Sequence, residues 1–158
     1  MNTLYFYPAI LTLHLAGLTL MAGTTLIEFV GYRTYWKLSE NDKDQASGVL
    51  QLLSKLARPI GIGAALLILT GICMMALTHG VFGEQTWFRV KFGLVIILIA
   101  NSLFFGRRQG NALIKTTQVT EPGTAIKIMS IKRNLKIFHV LQLLIFFTIV
   151  LFSVFKFN

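Results

Sequence analysis

The chain has 158 residues, 54% hydrophobic and 13% charged, with a formal net charge of +9. It is too apolar for an ordinary soluble domain and just long enough for one small membrane bundle, with no room for a second folded domain. In a soluble protein such a charge would point to nucleic acid. Here twelve of the fifteen Lys and Arg fall in two gaps between apolar stretches, which points to a lipid surface instead.

A membrane-spanning helix needs about 20 apolar residues. Four stretches meet that, near Leu4–Val30, Pro59–His79, Trp87–Phe105 and Leu135–Phe155. The expected fold is all-α, an integral membrane four-helix bundle making one domain over 1–158. The first gap carries Arg33, Lys37, Lys43, Lys55 and Arg58. The third carries Arg107, Arg108, Lys115, Lys127, Lys132, Arg133 and Lys136. By the positive-inside rule both are cytoplasmic and both termini lie outside, which suits the bacterial cytoplasmic membrane.

In chain order, Tyr5, Tyr7 and Pro8 open the first helix as an outer aromatic belt, and Tyr32, Tyr35 and Trp36 close it at the inner interface. The segment lacks a basic start and exceeds the length of a signal-peptide core, so it reads as a retained helix. Along it His14, Gly17, Met21, Thr24, Glu28 and Gly31 recur at steps of three and four, a small and polar face. Ionisable groups aimed at lipid are costly, so this face turns inward. His14 is either an interhelical hydrogen-bonding residue or an axial haem ligand or proton relay. Glu28 has Arg33 about a turn and a half away, the spacing of a snorkelling ion pair.

Ser39 followed by Asp42 resembles a helix-start capping box. Over 43–57, Val49, Leu52, Leu53 and Leu56 recur at helical spacing. That gives either an amphipathic helix on the cytoplasmic face or an amphipathic extension of the second span. Pro59 suits the first turn of the helix that follows. Gly61 and Gly63 are small residues of the kind that let membrane helices pack closely. Cys73, the single cysteine, reads as a packing residue.

His79 closes the second span at the outer surface. On the third, Lys91 lies about 6 Å inside Trp87 and His14 about 10 Å below the outer belt, at 1.5 Å per residue. His14, Lys91 and His79 can therefore surround one pocket in the outer half. Arg89 can snorkel outward, and Lys91 either does the same or points inward as an anchor for a carboxylate-bearing ligand. The third and fourth helices continue past the membrane as Arg107–Gln118 and Thr124–Lys136, with Glu121, Pro122 and Gly123 as the turn. His139 and Gln142 share a face in the inner half, where packing and hydrogen bonding are the expected roles. The depth difference between His14 and His139 is too great for one haem iron to bind both.

With His14, Met21-Ala22-Gly23 and Trp87-Phe88-Arg89-Val90-Lys91 in view, the chain resembles the HemJ-type protoporphyrinogen oxidases and the wider set of four-helix membrane proteins that includes CopD-like domains. Gly106-Arg107 falls in matching order at the end of the third helix. The pattern departs at Glu28-Phe29-Val30-Gly31, where the family carries Pro-Arg, and at Asn101-Ser102, where a histidine is expected. The resemblance implies oxidation of protoporphyrinogen IX to protoporphyrin IX with bound haem b and electrons passed to a respiratory-chain acceptor. His14 would be the haem-iron ligand and a catalytic residue, and Lys91 the second catalytic residue. Gly17, Met21, His79 and Arg89 would line the cofactor. The alternatives are a non-enzymatic haem or quinone electron-transfer module, or an accessory or carrier protein of the CopD kind. The small-residue faces permit a homo-oligomer.

Overall fold

A computed structural model describes residues 3–78, 85–117 and 124–155. Six helices follow one another: α1 Thr3–Leu38, α2 Lys43–Lys55, α3 Ala57–Leu77, α4 Thr86–Asn101, α5 Arg107–Thr117 and α6 Thr124–Val154. A π-helical turn, Ser102–Gly106, joins α4 to α5. Taken as continuous rods, α1, α2–α3, α4–α5 and α6 are each long and apolar enough to cross a membrane. Their outer faces carry Leu13, Leu69, Phe92 and Phe147, all more than half exposed. An exterior of this kind suits an apolar solvent.

The architecture is two antiparallel hairpins. In the first, α2 and α3 run back along the whole of α1. Only Leu56 separates α2 from α3, because Pro59 cannot donate to the Lys55 carbonyl and the chain tightens there, Leu56 N bonding Leu53 O at 3.1 Å. Segment 43–57 thus runs on into α3 along the same rod. Ala46 and Leu53 are buried against α1, with Leu53 filling the space that the missing side chain of Gly31 leaves open. The cap of α2 is Asp42, whose Oδ1 accepts from Asp44 N at 3.1 Å and Gln45 N at 3.0 Å. Ser39 does not join it. Its hydroxyl donates to the Trp36 carbonyl at the end of α1, 2.9 Å away.

In the second hairpin, α4 and α5 run antiparallel to α6. Gly106 faces the Phe138 ring so closely that a Cβ there would lie 2.7 Å from its Cζ. The extra residue of the π turn rotates α5 relative to α4, and Leu113 becomes fully buried beside Ile131 and Leu135. Residues 121–123, expected as the connecting turn, lie outside the described residues, as does Gln118 at the expected end of α5.

The hairpins meet through two apolar clusters. At mid-height Met21, Leu98, Ile145, Phe146 and Ile149 pack together, walled by Leu18, Leu67 and Leu94. At the end where the chain turns from α1 into α2, here the basic end, Tyr35, Ala46, Leu113, Ile131 and Leu135 form a second cluster. Tyr35 is therefore inside the bundle, and Trp36 lies under the Lys132 ammonium at 5.4 Å. The expected inner aromatic belt has become interhelical packing.

Helices α1 and α3 approach backbone to backbone at Gly17 and Gly63. A Cβ on Gly63 would stand 2.9 Å from the Gly17 carbonyl and 3.0 Å from the Met21 Cβ. Neither helix can move aside without opening the mid-height cluster. Gly63→Val is expected to cost about 1–3 kcal/mol of stability. Gly23→Ala, whose Cβ would meet nothing within 4 Å, should change it by less than about 0.5 kcal/mol. Denaturant unfolding of the two variants in the same detergent, followed by tryptophan fluorescence, checks the contrast.

Candidate functional site

Two polar layers flank the mid-height apolar cluster, each one helical turn from it. One turn beyond Leu18, Leu67 and Leu94, toward the start of α1, stand His14, Thr70 and Lys91. One turn and then two toward the basic end stand Asn101 with Gln142, and Glu28 with His139.

In the first layer His14 Nδ1 lies 2.8 Å from Thr70 Oγ1. The Thr70 hydroxyl donates its single proton to the Leu66 carbonyl, which can only accept. Its oxygen therefore accepts from His14, and Nδ1 is the protonated ring nitrogen. Nε2 carries the lone pair. The ring rests over Gly71, where a Cβ would lie 3.7 Å from Cε1. Lys91, half-buried on α4, stands one turn beyond Leu94, at the level of His14. The structure thus brings His14 and Lys91 into one layer across two hairpins.

The other expected members fall differently. Gly17 is buried in the α1–α3 backbone contact, with a Cβ position only 3.1 Å from the Gly63 carbonyl. Met21 is 1% exposed within the mid-height cluster. These two residues serve helix packing, and neither presents an open surface. Arg89 is exposed on α4. His79 lies outside the described residues. Among the described residues no three His, Cys, Asp or Glu side chains converge to hold a metal ion. A haem, which draws one or two axial ligands from the protein, makes no such demand.

The second polar region was not assembled by sequence reasoning. Asn101 Nδ2 donates to Gln142 Oε1 at 2.8 Å, and Gln142 Nε2 reaches the Leu98 carbonyl at 3.4 Å. One turn further, Glu28 pairs with His139 rather than with Arg33, Oε2 to Nε2 at 3.5 Å. The Arg33 guanidinium instead sits 5.9 Å over the Phe29 ring. His139 is 1% exposed and enclosed by the rings of Phe29, Tyr32 and Phe138. A cavity of about 90 Å³ adjoins the pair. It is lined by Tyr32, Ser54, Ser102 and Asn111 as well as by Glu28 and His139. Thr70 could have been found from the sequence, since it stands two helical turns beyond Gly63 on one face of the second span. The Glu28–His139 pair had no such signal, because its register is set between hairpins.

Comparison of the chain with protein-family models, curated proteins and solved structures finds no match.

The amide pair gives a direct check on how the hairpins are held. Asn101→Ala strands Gln142 in a buried site and should cost about 1–3 kcal/mol. A double-mutant cycle of Asn101→Ala and Gln142→Ala in detergent should return a coupling of about 0.5–1.5 kcal/mol, the range of interhelical hydrogen bonds in membranes.

Proposed function

We propose that this chain is a multi-pass protein of the bacterial cytoplasmic membrane that binds haem b and oxidises protoporphyrinogen IX to protoporphyrin IX. Its termini lie outside and its basic end is cytoplasmic, in keeping with the placement of Lys and Arg. The observation that carries the reading is the Thr70 contact of His14. It leaves the Nε2 lone pair of His14 as a ligand, with Lys91 in the same layer.

The donor set fits the group. An imidazole nitrogen is a common axial ligand of haem iron. A hydrogen bond on the opposite ring nitrogen is the usual support of a metal-bound histidine, because it fixes tautomer and ring orientation. Haem bound at His14 would supply the electron-transfer chemistry. Thr70 orients the imidazole, and the Lys91 ammonium offers a propionate of haem or substrate a charge-assisted hydrogen bond. Dehydrogenation of the macrocycle delivers electrons to a membrane acceptor of the quinone class and protons to water.

Visible absorption of the purified protein in mild detergent, oxidised and then reduced, tests this. A haem b spectrum is expected, lost in His14→Ala. Lys91→Ala should keep the spectrum and raise the KM for protoporphyrinogen by about ten- to a hundredfold, the worth of a hydrogen bond to a charged group. A colourless protein after haem is supplied during expression would overturn the haem assignment. Unchanged turnover in His14→Ala, or an unchanged KM in Lys91→Ala, would overturn that residue's role. Haem binding without porphyrinogen oxidation would move the chain to the electron-transfer reading.

A further inference from the structure

The polar region at the basic end carries an inference independent of any cofactor near His14. His139 Nδ1 lies 2.7 Å from the Leu135 carbonyl. A carbonyl only accepts, so Nδ1 holds a proton and the neutral ring turns a lone pair outward at Nε2. That atom is buried, has no hydrogen-bond partner, and faces Glu28 Oε2 at 3.5 Å. A bare ring nitrogen and an ionised carboxylate would oppose lone pair to lone pair in a low-dielectric site, and the contact would be repulsive. One added proton makes it attractive, as imidazolium beside carboxylate or as imidazole beside carboxylic acid.

We propose that Glu28 and His139 form a proton-binding site, loaded through water in the adjoining cavity from the basic end of the bundle. The ligand is one proton, taken from bulk water and shared by the pair. The cavity, at about 90 Å³, is polar at Ser54, Ser102 and Asn111 and roomy enough for water. Ser54 and Asn111, which line it, are exposed and connect it to the surface, while Tyr32 and Ser102 line it near the pair.

The electrostatic surroundings are simple. From α1 the titratable groups facing the site are Glu28 and Tyr32, and from α6 His139 itself. The lining residues of α2, α3, the π turn and α5 include none that titrates. The nearest cation along α1, Arg33, sits over the Phe29 ring, 5.9 Å from its centroid. The Tyr32 phenol is thus the titratable neighbour of the pair, and the cavity water is the medium through which the proton is exchanged.

The test is nuclear magnetic resonance of the full chain in lipid nanodiscs. Histidine is labelled with nitrogen-15 and glutamate with carbon-13, and the bulk pH is varied. His139 is assigned by its loss in His139→Gln. The expected wild-type result at neutral pH is a protonated Nδ1 and one further proton on the pair, exchanging with bulk water. In Glu28→Gln the carboxylate that shares the further proton is gone, and the proton signal of the pair should be lost from His139. A bare Nε2 beside an ionised Glu28 in the wild type would overturn the proposal without recourse to any variant. An unchanged titration in Glu28→Gln would overturn the pairing. A proton that never exchanges with bulk water would overturn the loading path.

Discussion

Where α1 and α3 meet at Gly17 and Gly63, backbone touches backbone, and the rest of the molecule takes its register from that contact. Between helices in lipid, burial from water supplies little drive, so association rests on close van der Waals packing. A glycine pair allows the nearest approach, and each of its neighbours blocks sliding. With this contact in place, His14 falls opposite Thr70 one turn away, and Leu53 falls opposite Gly31 four turns the other way. The hairpin is therefore aligned along its full length by one small region.

The second hairpin is aligned differently. Its helices are joined by the Asn101–Gln142 amide pair and by Phe138 pressed onto Gly106. Its junction with the first uses the mid-height apolar cluster and the Glu28–His139 contact. The polar groups here are paired across elements far apart in sequence. This gives them more discrimination between registers than apolar side chains offer, since an amide displaced by one turn in hydrocarbon loses its partner.

Much of the fold could be read from the sequence because bilayer thickness demands long apolar runs, and four such runs are plain. Pro59 and the apolar spacing of 43–57 also announced a helix there, though not whether it lay flat or in line. That choice rests on Gly31, whose missing side chain makes room for Leu53. The inward face of α1 was legible as well, but its division of labour was not. Gly17 and Met21 share a stripe with His14, and nothing in the stripe distinguishes a residue that yields space to another helix from one that yields it to a ligand. Glu28 was assigned to Arg33 because sequence shows only neighbours along the chain. Its partner comes from the other hairpin, 111 positions on, and the contact depends on an interhairpin register that no single helix encodes.

The mid-height cluster of Met21, Leu98, Ile145, Phe146 and Ile149 has an electrical consequence. It is a dry slab with ionisable groups on both sides, and in a bilayer it would act as the insulator of a capacitor. Moving one charge through the full membrane voltage involves about 2.3 kcal/mol per 100 mV, and most of that drop would fall across this slab. A proton on the Glu28–His139 side is thereby separated from the His14 side by an apolar layer that offers it no polar relay.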